Sequence, residues 1–352
     1  MFVRRVNQAG LRLALAAAII APLALTTAPA SAQRSTISAT ERAARAALQA
    51  RLEALGRAFN GEVGLAVRDV DTGFVAAWNG ERLFPQQSVS KFWVQLTALD
   101  AVDRGRLSLD REVTLRRQDL TLFSQPIAAQ VGANGYSTTI RDLMHRAITR
   151  SDNTANDFVL WQAGGPEAVR AFLARNNIKD VRFGPGERLL QSGIGGVTWN
   201  QAMSSRGAFE AARNQVPAAT RRRLFNQYIA DPIDGASPHG LTYGLARLQR
   251  GELLSAASTR HMLSTLAATR TGPNRLAGGL APGWTIGHKT GTGQVWGGEQ
   301  AGYNDIGIIT SPDGKHYALA AMIGRTSVAL PVRMRLMNEV TRAAIEYHNS
   351  RR

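Results

Sequence analysis

What most constrains this chain is where its two hydrophobic periods fall. The strand-like stretches lie near the two ends, at 63–67 and 74–78 and again at 284–290, 306–310 and 317–323. Between them, from Ser88 to about Ala268, apolar residues recur mostly at intervals of three and four, the period of a helix with a buried face. Strands at both ends with helices between predict an α+β fold: one antiparallel sheet assembled from both termini, flanked by helices, with an all-helical lobe inserted. Turns at Asp71-Thr72-Gly73 and Ser311-Pro312-Asp313-Gly314 join neighbouring strands. Helices are expected from Thr40-Glu41 to Asn60-Gly61, through Ile140 and Ile148, through Leu241 and Leu248, and at the end through Leu336 and Tyr347. The glycine-rich piece 184–236 reads as irregular, and it is too long for an ordinary connection.

The first residues are separate business. Arg4, Arg5 and Arg12 precede and enter an apolar run at 13–25, which ends in Ala30-Ser31-Ala32. A basic start, an apolar stretch short for a membrane span and an Ala-x-Ala end predict a secretory signal at 1–32, cleaved after Ala32. A catalytic region of 33–352 would follow, and the product would be periplasmic or secreted, without stable membrane insertion. Losing three arginines takes the net charge from +16 to +13 (16 − 3). That charge suits acidic envelope polymers. No run of cations interleaved with aromatics points to nucleic acid, and Arg221-Arg222-Arg223 reads as a solvated helix face. There are no cysteines, so disulfides and thiolate metal sites are excluded. The six histidines are scattered without metal-binding spacing, so no metal or other cofactor is expected.

Chemistry enters at Ser88-Val89-Ser90-Lys91, the start of the helix carrying Phe92, Trp93, Leu96 and Leu99. Residues three apart on a helix are neighbours, so the Ser88 hydroxyl and the Lys91 amine meet there. A serine is a poor nucleophile until a nearby base takes its proton. Alone, the pair also reads as a capping serine above a solvated lysine. Two further pieces change that: Ser151-Asp152-Asn153 after a predicted helix, and Lys289-Thr290-Gly291-Thr292-Gly293 on a predicted strand.

In this order the three motifs resemble those of class A serine β-lactamases, within the penicillin-recognising serine hydrolases. The resemblance runs from about Ser38 to Tyr347 and includes Phe84-Pro85 before the nucleophile and Gly283-Trp284 ahead of Lys289. It implies a β-lactamase/transpeptidase-like fold, with an α/β lobe at about 38–84 and 275–352 and a helical lobe at about 85–274. It implies hydrolysis of a small β-lactam by a monomer. Ser88 would attack, the backbone N–H groups of Ser88 and Thr292 would bind the oxyanion, and Ser151, tied to Lys289 and Lys91, would pass a proton to the leaving nitrogen. Asn153 would hold the substrate's side-chain carbonyl, while Asp152 would brace its loop. The substrate carboxylate would meet Lys289, Thr290 and Thr292, with Arg275 as its clamp. Phe123 would form the cleft's aromatic wall or belong to the core.

The family's deacylation motif, Glu-x-x-Leu-Asn, is matched by Glu187-Arg188-Leu189-Leu190-Gln191. Glu187 would activate the water, and Gln191, one methylene longer than asparagine, would orient it. The charged pair that usually pins this loop is replaced by Gly184-Pro185-Gly186. The acylation base is Lys91 or Glu187. A penicillin-binding protein or D,D-peptidase that deacylates slowly is the competing expectation, and a non-catalytic wall-binding module is a third. His288 either tunes Lys289 or simply packs.

Overall fold

The computed structural model describes residues 37–351, so the predicted signal at 1–32 lies outside the described residues. Helix α1 (Ala39–Ala58) is capped by Ser38, whose hydroxyl accepts from Glu41 N–H. Strands β1 (Glu62–Asp69) and β2 (Val75–Trp78) follow, then the short β3 (Phe84–Pro85) and a 3₁₀ turn, Gln87–Ser90, leading into α2 (Lys91–Asp103). After these come β4 (Glu112–Leu115), β5 (Tyr136–Thr139), α3 (Ile140–Thr149), α4 (Asn153–Gln162), α5 (Gly165–Arg175) and α6 (Glu187–Gly195). The chain continues through α7 (Ala208–Asn214), α8 (Ala218–Ala230), β6 (Gly235–Ala236), α9 (Pro238–Gln249) and α10 (Ala256–Ala267). It ends with β7 (Thr285–Thr292), β8 (Val295–Trp296), β9 (Glu299–Thr310), β10 (His316–Thr326) and α11 (Leu330–Ser350).

The main sheet has the order β2-β1-β10-β9-β7, with β8 on β9, and all its pairings are antiparallel. Strands from the two ends meet where β1 pairs with β10, as the end-loaded strand pattern predicts. Period-two alternation then sorts side chains to two faces. Leu319, Ala321 and Ile323 join Leu48 and Leu52 of α1 and Met337 and Val340 of α11. Ala318, Ala320 and Met322 face a second core with Leu241 and Leu245 of α9 and Phe92 and Leu96 of α2. With both faces covered, nearly the whole of β9 and β10 is buried.

Three features differ from the sequence expectation. Helix α2 was expected to bury one face, yet every residue from Lys91 to Ala101 is buried. It is a central helix surrounded by other elements, which its richness in Phe, Trp, Val and Leu permits. The helical region between the sheet's halves also carries two small ribbons, β3–β6 and β4–β5. The piece 184–236 is not irregular: α6, α7 and α8 occupy most of it. Leu190, Ile194, Phe225, Tyr228 and Ile229 pack into one small core, and Met203 and Phe209 pack with Leu122 into another. Its glycines obscured the pattern, several of them serving turns at positive φ such as Gly196 and Gly207. Among the described residues no helix is long and apolar enough to cross a membrane, and no group of three or more His, Asp or Glu could hold a metal ion.

Candidate active site

Local backbone sets the nucleophile. Gln87 sits in the left-handed region (φ 54°), and the turn it makes leads directly into α2. Such a conformation is unfavourable for a non-glycine residue and persists only where its surroundings hold it. Here Gln87 N–H donates to Asp234 Oδ2 at 2.8 Å, and Asn304 Nδ2 donates to the carbonyls of Pro85 and Gln86. Strand β7 lies directly against this turn. A Cβ on Gly291 would stand 2.5 Å from the Gln86 carbonyl oxygen, so only glycine allows the approach.

The four side chains of the three motifs then meet in two pairs, Ser88 with Lys91 and Ser151 with Lys289. Lys91 is fully buried, and its Nζ donates to Ser88 Oγ at 2.7 Å and to Asn153 Oδ1 at 2.8 Å. Ser151, in the left-handed region (φ 55°) at the junction of α3 and α4, accepts from Lys289 Nζ at 2.9 Å. The tie to Ser151 expected from both lysines is thus observed from Lys289; no bond from Lys91 to Ser151 is seen among the described residues. Burial, and then the neighbouring charge of Lys91, hold the Lys289 ammonium well below the ordinary lysine value. Asp152 caps α4 through Ala155 N–H and accepts from Ile127 N–H at 2.7 Å, which braces the loop ahead of the motif.

Glu187 opens α6 and is gripped by one face of α4. Asn153 Nδ2 donates to its Oε1 at 3.1 Å, and four residues on, Asp157 Oδ1 accepts its backbone N–H at 3.1 Å. Its Oε2 lies 3.7 Å from Lys91 Nζ. The charged pair missing from Gly184-Pro185-Gly186 has a substitute: Arg170 of α5 donates to the carbonyls of Phe183 and Gly184. Arg188 donates to the carbonyls of Gln118 and Asp119 from the other side.

Gln191 lies one turn beyond Glu187 and donates to its Oε1 at 3.0 Å and to Gln87 Oε1 at 2.9 Å. Gln191 Oε1 accepts from Gln294 Nε2 at 2.9 Å, and Gln294 Oε1 accepts from Arg213 Nη1 at 2.9 Å. Beyond Gln87 the chain continues through Tyr228 to Asp234. An arginine can only donate and a carboxylate can only accept, so every amide in this chain has a defined direction. Burial first, and then the charge of Glu187 for Asp157, push both Asp157 and Asp234 up to about 6.

Arg275 is buried. It donates to the carbonyls of Gly291 and Asn304 and, through Nη2, to Thr292 Oγ1 at 2.7 Å, with Tyr303 stacked 3.8 Å from its guanidinium. Thr290 Oγ1 is 2.7 Å from Thr271 Oγ1. His288 is buried against Asp305, with Nδ1 2.9 Å from Oδ2, which fits a packing histidine. Phe123 is partly exposed, stacks edge-on against Phe209 and lines the cleft.

That cleft, of about 260 Å³, is lined by Ser88, Asn153, Glu187, Gln191 and Thr292, and by Arg213, Gly293, Gln294 and Val295. Sequence reasoning missed Asp157, Arg213, Gln87, Gln294, Tyr228 and Asp234. None belongs to a motif; only Gln87, just before Ser88, Asp157, one turn after Asn153 on α4, and Gln294, just past Lys-Thr-Gly, had a local signal.

A model of the beta-lactamase enzyme family matches residues 47–348. The chain is 24% identical over 301 residues to beta-lactamase VEB-1 of Pseudomonas aeruginosa, covering 86% of this chain and 90% of that protein. It is 28% identical over 292 residues to beta-lactamase L2 of Stenotrophomonas maltophilia, covering 83% and 82%. An ancestral class A beta-lactamase of known structure is 29% identical with a TM-score of 0.66, covering 85% of this chain and 99% of that one. Since the matched span takes in the sheet and all three motifs, the chain belongs to the beta-lactamase enzyme family and is of its class A type.

Proposed function

We propose that the protein hydrolyses β-lactams through a Ser88 acyl-enzyme that is released by water activated at Glu187. The observation that carries this is the contact of the buried Lys91 amine with Ser88, Asn153 and Glu187 at once, Asn153 also holding Glu187. Glu187 takes the proton that frees the Lys91 amine, and Lys91 takes the Ser88 proton as Oγ attacks the lactam carbonyl. The backbone N–H groups of Ser88 and Thr292 hold the oxyanion; donors of this kind are worth roughly 3–4 kcal/mol each. Ser151 protonates the leaving ring nitrogen and recovers a proton from the Lys91 ammonium, after which Glu187 returns its proton to Lys91. Glu187 is then a carboxylate again, able to deprotonate the water that attacks the ester.

Lys289, Thr290 and Thr292 bind the substrate carboxylate, with Arg275 fixing the Thr292 hydroxyl and adding its charge from behind. Asn153 and Gln191 line the path of the acylamino side chain and the water. Export through the segment at 1–32, with action as a monomer in the periplasm or outside the cell, completes the reading. Slow release, as in a penicillin-binding protein, is disfavoured by the placement of Glu187 on the cleft wall beside Lys91.

Nitrocefin separates the two. Steady hydrolysis through many turnovers is expected, whereas one burst equal to the enzyme present would indicate a binder. Glu187→Ala should accumulate an acyl-enzyme visible by intact mass; normal turnover in that variant would place water activation elsewhere.

A further inference from the structure

The segment 184–236 delivers something to the cleft that the reaction above does not use. Helix α7 carries Phe209 and Arg213 on the same side, four residues apart. Phe209 is buried and supports the cleft wall at Phe123, while the Arg213 guanidinium lies 5.8 Å from the Phe209 ring and itself lines the cleft. Among the described residues no carboxylate lies within ion-pair distance of Arg213. Among the described residues lining this cavity the other charged one is Glu187, which is held by Asn153 and Gln191 with Lys91 beside it. Glu210, one turn back on α7, lines the neighbouring cavity on the other side of Phe209. Of the donors on Arg213, Nη1 is engaged by Gln294 Oε1, and Nε is buried without a partner. A half-buried guanidinium with unspent donors and no counter-ion is a receptor for an anion with planar oxygens.

Its place in the cleft says which anion. Thr292, which Arg275 backs, marks the end where the ring carboxylate binds. Arg213 is attached two residues further along, at Gln294, whose amide in turn donates to Gln191. Through that link Arg213 is tied to the side of Gln191, Glu187 and Asn153, toward which the acylamino substituent extends, and not to the Lys289 side. We infer that Arg213 is a specificity-determining residue that binds a second anionic group, a carboxylate on the acylamino side chain of the substrate, so that dianionic β-lactams are favoured. This rests on the β-lactam hydrolysis proposed above.

The test compares benzylpenicillin with its α-carboxy derivative carbenicillin, which differ by one side-chain carboxylate. The readout is the ratio of their kcat/KM values, in which any shared effect of Arg213 on Gln294 and Glu187 cancels. Arg213→Gln, which retains a donor for Gln294 without the charge, should lower the carbenicillin-to-benzylpenicillin ratio at least tenfold, mainly through KM for carbenicillin. Arg213→Lys should keep part of the preference, and raising the salt concentration should erode the wild-type ratio but not that of Arg213→Gln. A ratio unchanged within twofold in both variants overturns the inference while leaving hydrolysis intact. If the wild-type protein turns over neither penicillin, the functional proposal fails first and takes this one with it.

Discussion

Replacing Asp157 by asparagine should stabilise the protein at neutral pH by an amount that shrinks as the solution is acidified. Asp157 is 3% exposed, on the face of α4 that grips Glu187, and its one described hydrogen bond is from Glu187 N–H. Burial, followed by the charge of Glu187, raises its pKa from 3.8 to about 6. The sign follows from proton counting. Between pH 4 and 6 the folded chain holds a proton at this site that the unfolded chain has lost, so stability falls as pH rises and levels off above 6. The full penalty is about 3 kcal/mol, from a difference of about 2.2 pKa units at 1.36 kcal/mol each. By the same relation about half of it is already present at pH 5, and the other half develops between pH 5 and 7.5.

Asparagine keeps the shape and the acceptor for Glu187 N–H but carries no charge to desolvate. Its extra N–H₂ adds a constant offset at every pH, so the informative quantity is the change of the gap with pH. Urea unfolding of both proteins at pH 5, 6 and 7.5, followed by tryptophan fluorescence, measures it directly. Titrating groups that do not interact with Asp157 are common to the two chains and subtract out; Glu187, coupled to Asp157, belongs to the measured difference. A gap that stayed flat or narrowed toward pH 7.5 would mean that the ionised carboxylate is favourably held, and the reasoning from burial would be refuted.

Two further outcomes are expected from the cleft. Gly291→Ala puts a methyl group 2.5 Å from the Gln86 carbonyl oxygen. It should push β7 off the nucleophile turn, lower kcat/KM for benzylpenicillin at least tenfold and cost about 1–3 kcal/mol in a denaturation experiment; wild-type kinetics would show that the close approach is dispensable. Because Lys289 loses its proton well below the ordinary lysine value, kcat/KM should decline on the alkaline side at a correspondingly lower pH. Lys289→Arg, charged throughout, should be slower but lack that limb, and an unchanged limb would assign it to another group.

The helix that carries Lys91, the helices through Ile140 and Leu241 and the strands at both ends were legible because each depends on neighbours in sequence: a period, a cap or a turn residue; the 3₁₀ turn that holds Ser88 ahead of α2 was read only as the start of that helix. The motif residues were legible for the same reason, since three residues separate Ser88 from Lys91 and either kind of helical turn brings them together. The 184–236 piece was not. Its three short helices hold together by packing Leu190 against Phe225 and Phe209 against Leu122, contacts that no local period announces, and its glycines look like loop signals until their turns are seen. Nor could the one-sided reading of α2 survive, because a helix is buried all round only when other elements close over it.

By itself, then, the sequence determined the order of elements, the closing of one sheet from two ends and the residue types available for acyl transfer, since these follow from spacing along a single chain. Tertiary structure decided what those residues meet. It set Lys91 between Ser88 and Glu187, buried Lys289 deeply enough to weaken its hold on a proton, turned Arg275 inward behind Thr292 and left Arg213 facing the cleft without a counter-ion. Charge, desolvation and hydrogen-bond direction depend on distances through space, and only the folded chain sets those.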